Sequence, residues 1–558
     1  MRCNKPKVRL VSDVRTLEHE SLHSIVIAST LLMLNRMLFL VLVVVCFDCF
    51  AGAQQTHFPV PQAEQLGKVS FSTSCSKAVQ VVFDKGVALL HSFQYAHAQA
   101  SFDEVLKKDS HCAMAYWGEG MALYRPLWEW PTSETLKKGH ELMEAAAQLK
   151  PKTERELAYI QAMAEFFQAS PNLGVWRRRN IFAKAMAEVH ERYPEDIDAA
   201  CFYALSLLSV YENGEIPRKK AIAILKIAFA SQPNHPGAAH YLIHAADSSD
   251  LALEGLEAAR QYIKIAPSSA HALHMPAHIF SHLGLWQDTV ASNQASVVAA
   301  ANATLHKGDN ESEYQLHAMK YLEYAYLQMG READARQEIE GVKDIPGITA
   351  SEASEGENLM MTLYVMETHR WNDAEKINPK AATQLSARMS MHCARAIANL
   401  HLGNIDLAGQ EVEKFREIFK MLQEQKKDSI LDRVLDLESE SWLAVIQGKT
   451  DEAVNKMRAA VHEEASYYSV DLHKVPSAEL LGDLLLEIHE PAKALEAYQF
   501  ALKEAPNRLN SLHGAGHAAE LSGHPEKAKS YYEDLLKSTG AQSDRAEVKE
   551  AQAFLKKK

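Results

Sequence analysis

A self-similarity at a fixed period constrains this 558-residue chain more than anything else in it. Near the C-terminus, "LLGDLLLEIHEPAKALEAYQFALKEAP" is followed by "LHGAGHAAELSGHPEKAKSYYEDLL". Gly482 and Gly516, Ala494 and Ala528, and Tyr498 and Tyr532 each lie 34 residues apart, and Pro506 closes the first unit. Each unit reads as two helices, A and B. The small residues let A and B approach closely, and the aromatic fills the gap to the next hairpin. One such hairpin cannot bury its apolar face alone, so neighbours have to stack. The same grammar recurs in "FDKGVALLHSFQYAHAQASFDEVLKKD", where Gly86, Tyr95, Ala98 and Phe102 take the equivalent places, and Gly118 follows in "CAMAYWGEGMALY". Divergent units connect the two ends: "HPGAAHYLIHAADSS" with "EGLEAARQYIKIAP", "AHALHMPAHIFSHLG" with "LWQDTVASNQASVV", "YQLHAMKYLEYAYLQMG" with "READARQEIEGV", and "LSARMSMHCARAIANLHLG" with "IDLAGQEVEKFREIFKML". Strand signals are nearly absent.

This period and punctuation resemble the tetratricopeptide repeat (TPR). The chain is expected to be all-α, a right-handed α-solenoid of about nine to twelve stacked hairpins. The expected divisions are a leader at 1–53, a linker at 54–76, a divergent TPR-like array at 77–470, a C-terminal TPR pair at 471–540 and a charged helical tail at 541–558. The phrases "FSTSCSKAVQVVFDKGVALLHSFQYAHAQASFDEVLKKDSHCAMAYWGEGMAL", "NHPGAAHYLIHAAD" and "HALHMPAHIFSHLGLW" also resemble exported bacterial TPR proteins, over most of the chain after the leader. That resemblance implies the repeat fold and no particular activity.

Export is also read from the N-terminus itself. Arg36 precedes "MLFLVLVVVCFDCFAGAQQ", which begins at Met37 and runs through a short apolar stretch to Ala51-Gly52-Ala53. A basic flank, an h-region of roughly ten residues and an A-x-A site make a cleavable signal peptide. The run is too short for a comfortable membrane span. The mature chain is expected to start near Gln54, in the periplasm or outside the cell, with no membrane attachment beyond the cleaved segment. Cys75, Cys112, Cys201 and Cys393 then remain. Cys75 precedes the first helix A and Cys112 opens the next, so the stack makes them neighbours and a disulfide is expected there. A net charge of −13 argues against a nucleic-acid partner.

The residues that most demand an explanation are histidines. "HALHMPAHIFSHLG" carries His271, His274, His278 and His282, spaced by three, four and four. On a helix these fall within an arc of roughly 80°. A core stripe would be Leu, Ala or Val, and a solvated one Lys and Glu. With Gly284 at the A–B turn, the four take positions 2, 5, 9 and 13 of helix A. The TPR resemblance implies that these positions face the concave groove. His240 and His244 occupy positions 5 and 9 one repeat earlier, His317 falls at position 2 of the next, and His513 and His517 repeat positions 5 and 9 near the end.

Imidazoles at i and i+4 can share a metal, with further ligands from a neighbouring helix. His240, His244, His274 and His278 are the candidate ligands of Zn or Cu, beside the reading in which they contact a peptide or small ligand without a metal. Asp247, Tyr241 and Glu254 are candidate outer-sphere partners. His271, His282, His317, Tyr241, Asp247 and Tyr324 are expected to line the groove. His513 and His517 stand in an isolated repeat and are expected to be structural. A second cluster, Tyr116, Trp117, Trp128 and Trp130 around Pro126 and Pro131, reads as core at Trp117 and as an aromatic lip beyond Arg125.

Hydrolytic motifs are missing. "HYLIH" has the His-x-x-x-His spacing of zincins, but Tyr241 stands where those enzymes place the general-base Glu. No Gly-x-Ser-x-Gly, P-loop or dinucleotide fingerprint is present. The chain is expected not to be an enzyme. It is expected to be a scaffold that binds a protein, peptide or small ligand in its histidine-lined groove. The alternative is a metal-binding protein, a metallochaperone or a metalloenzyme.

Overall fold

The computed structural model describes residues 64–127, 129–170, 172–211, 216–306, 308–465, 474–539 and 543–557. The leader, the expected cleavage site, Trp128 and the start of the expected C-terminal pair lie outside the described residues. Residues Val60–Lys558 form one compact unit. Its described residues contain helices and no strand, as the period requires. The hairpins are α1 (Gln80–His91) with α2 (Tyr95–Lys108), α3 (Ala113–Leu123) with α4 (Ser133–Gln148), α5 (Glu154–Phe167) with α6 (Val175–Arg192), α7 (Ile197–Leu207) with α8 (Arg218–Ser231), and α9 (Pro236–Ala245) with α10 (Ala252–Ile265). The next helix A is split into α11 (Ala270–His274) and α12 (Pro276–His282), because Pro276 has no N–H to continue the ladder. Its helix B is α13 (Trp286–His306), and α14 (Ser312–Gln328) pairs with α15 (Glu332–Gly341). After α16 (Ala350–Thr368) come α17 (Leu385–His401) with α18 (Ile405–Glu424), α19 (Ile430–Ile446) with α20 (Thr450–Ala465), α21 (Ser477–Glu487) with α22 (Pro491–Glu504), α23 (Leu509–Leu521) with α24 (Pro525–Thr539), and the closing α25 (Ala546–Lys556). No helix among the described residues is long and apolar enough to cross a membrane.

The glycines of the repeat act as sockets. The Phe102 ring on α2 sits against Gly86 of its own hairpin and Gly118 of the next, where an added Cβ would come within 2.8 and 2.5 Å of it. The Tyr498 ring does the same between Gly482 and Gly514. Any larger residue at these points would push two hairpins apart.

The array is curled back on itself at both ends. The described part of the expected linker is packed rather than free: Phe71 is fully buried against Phe83, Trp117 and Tyr159. Lys68 N–H donates to the Asn234 carbonyl at 2.9 Å, and α1 packs against α9, several hairpins away. The C-terminal pair folds onto the middle of the chain. Trp286 Nε1 donates to the Asn507 carbonyl at 2.9 Å, and the Leu509 N–H to Gln328 Oε1 at 3.0 Å. Fully buried Arg508 binds Glu367 at 2.8 Å, Glu479 at 2.9 Å and the Tyr324 hydroxyl at 2.7 Å. Within the expected charged helical tail, α25 buries Val548 and Ala551 on one side.

Candidate metal centre

Where α9 meets α11, three imidazoles converge. His240 and His244 lie one turn apart on α9, so their rings stack along one face. His271 arrives from the first turn of α11. His240 Nε2 stands 3.0 Å from His271 Nε2 and 3.1 Å from His244 Nε2. The other nitrogen of His240, Nδ1, donates to the His91 carbonyl at 2.6 Å. A carbonyl can only accept, so the proton is on Nδ1 and Nε2 presents a bare lone pair to the other two rings. Burial, followed by the neighbouring imidazoles, lowers the pKa of all three, to about 3 for His240. The rings are kept neutral, the form that binds metal.

One repeat further on, the arrangement is copied. His274 ends α11, His278 lies one turn on in α12, and His317 comes from α14. His274 Nδ1 donates to Asn293 Oδ1 at 2.7 Å, and the Asn293 amide donates in turn to the Thr289 carbonyl, which fixes which way the amide points. His278 Nδ1 donates to the Asp247 carboxylate at 3.0 Å. As neutral rings both carry their proton on Nδ1, and their Nε2 atoms face each other at 3.0 Å. The His317 ring lies 4.6 Å from that of His274, centroid to centroid. In each triad one nitrogen per ring lies within 4.8 Å of the others.

These triads fit a metal. Tetrahedral Zn or Cu with bonds of about 2.0–2.1 Å holds its donor nitrogens about 3.3 Å apart. Metal-ligating histidines also usually donate their second N–H to a carbonyl or carboxylate. Here the acceptors are the His91 carbonyl, Asn293 and Asp247. An all-imidazole donor set suits Zn or Cu and leaves a fourth position for water or ligand. The Tyr321 hydroxyl, 3.4 Å from His278 Nε2, borders the second triad.

A third cluster, His91, Asp198 and His235, lies beneath the first and is built differently. His91 Nε2 and His235 Nε2 both donate to Asp198 Oδ1, at 2.9 and 3.2 Å. The Tyr241 hydroxyl donates to His91 Nδ1 at 3.1 Å, and the Ala238 N–H to His235 Nδ1 at 3.3 Å. Burial pushes the Asp198 carboxyl up, but the hydrogen bonds from His235 and His91 outweigh it and hold it well below the usual carboxylate range. Every nitrogen has a partner.

The expected ligand quartet is therefore regrouped. His240 and His244 do not share a centre with His274 and His278. Each pair takes its third ring from position 2 of the following repeat, His271 or His317, because the stagger between hairpins sets position 2 of one helix A against positions 5 and 9 of the helix before it. Asp247 does belong to the site and joins His278 to His282, whose Nε2 lies 3.1 Å from it. Glu254 does not, being paired with Lys226 on the surface. Tyr241 and Tyr324 were expected in the groove and are core: Tyr241 is fully buried on His91, and Tyr324 on Arg508. His271, His274 and His282 are themselves mostly buried, so the site is a recess rather than an open groove. The His91 carbonyl, Asn293 and Tyr321 were missed. Of these, only Tyr321, one turn beyond His317, carried any sequence signal.

His513 bonds Glu550 at 2.9 Å, with the His517 ring parallel at 6.2 Å, and the pair belongs to no triad among the described residues. Cys75 and Cys112 form a disulfide with Cα atoms 4.9 Å apart, and Cys201 and Cys393 are free and buried. Trp117 is core. Trp130 is 57% exposed and makes an edge contact with Trp176, which in turn meets Tyr211.

The chain matches no protein-family model. It is 23% identical over 280 residues to mouse Tetratricopeptide repeat protein 21B, which covers 48% of this chain. The chain spans about a fifth of that relative's length, the matched share being 20%. Similar solved structures include the human IFIT1 dimer with m7Gppp-AAAA, at TM-score 0.36 and 13% identity over 73% of this chain and 87% of that one. The Cut9–Hcn1 hetero-tetramer of the APC/C gives 0.30 and 11%, over 86% and 96%. Yeast Tom70 gives 0.29 and 13%, over 86% and 96%. The stacked helix pairs are those of a TPR-like solenoid, and the chain is similar in sequence to that tetratricopeptide-repeat protein.

Proposed function

We propose that this protein is an exported metal-binding solenoid that holds two Zn or Cu ions, one in each histidine triad. The observation that carries this reading is the convergence of three imidazoles in each triad, with one ring nitrogen from each within 4.8 Å of the others. One repeat earlier, the His240 Nδ1 proton is held by the His91 carbonyl, so Nε2 is the atom it offers toward His244 and His271. The disulfide and the signal-peptide pattern support export. The repeat fold supports a binding role, since a solenoid displays side chains along a surface without supplying chemistry of its own.

The test is metal analysis of the untagged chain. It should be loaded with Zn²⁺ or Cu²⁺, dialysed, and counted by mass spectrometry of the metal. Two equivalents are expected. Less than a tenth of an equivalent would refute the reading.

A second reading has its own observation. Trp130, Trp176 and Tyr211 are all more than 40% exposed and touch in sequence, with the Arg179 guanidinium over the first two rings. Exposed aromatics beside an arginine suit a protein or peptide partner. Trp176→Ala would weaken such a partner and leave metal loading intact.

A further inference from the structure

The second half of the solenoid carries a cavity that has no part in the histidine chemistry. It measures about 340 Å³, the size of a small-molecule pocket. It lies where α14, α16, α17, α19 and α21 face one another. Its walls are mostly hydrocarbon, with Leu359, Met366, Ile397 and Leu435 among them. Among the polar groups in this lining, one stands without a partner. Glu323 on α14 is fully buried, and neither carboxyl oxygen has a hydrogen-bond partner.

An unsatisfied buried carboxyl is costly, by about 1–3 kcal/mol or more when charged. Three other buried glutamates, Glu367, Glu438 and Glu479, are each matched to Arg508 or Lys474. Glu323 is left without a match at the wall of a cavity. Burial dominates its titration and pushes the carboxyl well above the usual range, and Lys320 one turn back opposes this while Glu367 and Glu338 reinforce it. The other cation at the wall, Lys474, is held by Glu438 at 2.5 Å and Glu464 at 2.9 Å. The surroundings of Glu323 therefore favour a positive head group and disfavour a carboxylate.

We propose that this cavity binds an organic amine, a molecule with a hydrocarbon body and a protonated amino head that bonds to Glu323. The hydrocarbon fills the apolar wall between α16 and α19, and the ammonium supplies the donors that Glu323 lacks. The site is separate from the triads, and its occupancy does not depend on metal.

The test compares three probes of equal chain length on the full, chelator-treated chain by isothermal titration calorimetry: n-octylammonium, n-octanol and n-octanoate. The amine is expected to bind at least ten-fold more tightly than octanoate, with octanol between them. Glu323→Gln should bring the amine's affinity down to that of octanol. Ala394→Phe, which puts a ring into the cavity from α17, should abolish binding of all three. Circular dichroism establishes that each variant is folded. No binding of any probe would overturn the proposal. So would octanoate binding as well as the amine, or Glu323→Gln leaving the amine's affinity unchanged. The probe comparison on the parent chain decides the question even if a variant does not fold. Metal loading of the triads plays no part in the readout, so failure here leaves the metal reading standing.

Discussion

Two kinds of histidine cluster lie within a few side chains of each other in this protein. In one, His91 and His235 flank Asp198, and each ring nitrogen has a donor or acceptor. In the other, repeated twice, the Nδ1 protons of His240, His274 and His278 are tied to the backbone, to Asn293 and to Asp247, and the Nε2 lone pairs point at other imidazoles. Histidine density and burial do not separate the two kinds. Proton bookkeeping does. A buried cluster built around its own carboxylate is a structural network, whereas one whose Nε2 atoms converge within 3.0–3.1 Å of one another presents the donor set a metal would need.

The comparison breaks most visibly at the ligands. Replacing His278 with Ala removes one of three donors from the second triad and leaves the first intact. Structural Zn²⁺ in small domains is held by about 10–16 kcal/mol over four ligands, so one ligand accounts for about a hundred- to a thousand-fold in affinity. Metal content should fall from two equivalents to one. Loss of both would mean a single shared centre, as the spacing alone had suggested.

The closed cluster makes the opposite kind of prediction, on stability. Burial, partly offset by Asp198, depresses His91 to about 4 in the folded chain. The unfolded chain takes up that proton near pH 6.5. A depressed histidine costs nothing above pH 6.5, where both states are neutral. Stability is lost as pH falls from about 6.5 to about 4, by about 3 kcal/mol in all. Urea unfolding of the metal-free chain at pH 7 and at pH 5 measures this. His91→Gln, which can still donate to Asp198, should have a pH dependence shallower by one proton across that window. An equal slope would mean that the ring is not held neutral.

How much of this was legible beforehand follows from which interactions are local. The hairpins were, because a 34-residue period and Gly–aromatic sockets such as Gly482 with Tyr498 are written in the order of residues. The stripe at positions 2, 5, 9 and 13 was too, since a helix fixes which side chains share a face. The grouping into triads was not, because it depends on the stagger between successive hairpins. Tyr241 and Tyr324 were misplaced for a related reason: in a helix packed on both sides, the groove face and the neighbour face are both apolar. Contacts such as Arg508 with Glu367 and Leu509 with Gln328 join residues far apart in the chain, and no local pattern announces them. Glu323 was overlooked because a glutamate on a helix reads as a surface residue unless its neighbours are known.

A smaller effect sharpens the comparison from the outer sphere. Asp247 touches no lone pair of the second triad but accepts the His278 Nδ1 proton and binds His282. Asp247→Asn keeps the shape and removes the charge that orients the ring. Second-sphere changes of this kind cost about ten- to a hundred-fold in metal affinity. Competition with a fluorescent chelator should show that loss for one of the two equivalents only. Equal weakening of both would mean that Asp247 acts on the whole recess rather than on its own triad.

The smallest expected effect is none, and it tests whether spacing alone makes a site. His513 and His517 stand at the same positions 5 and 9 as His240 and His244, on a helix A of the same repeat type. They lack what the triads have. No histidine follows at position 2 of a next repeat, because α25 supplies Glu550 there, which already accepts from His513 Nε2 at 2.9 Å. The two rings lie parallel with centroids 6.2 Å apart, unlike the crossed pair of His274 and His278 at 4.9 Å. His513→Ala should leave two equivalents of metal and an unchanged affinity, and it should cost no more than the small amount typical of an exposed ion pair, about 0–1 kcal/mol. A fall in metal content on this substitution would mean that an i, i+4 histidine pair with a single carboxylate is enough to hold the ion, and the requirement for converging lone pairs would have to be abandoned.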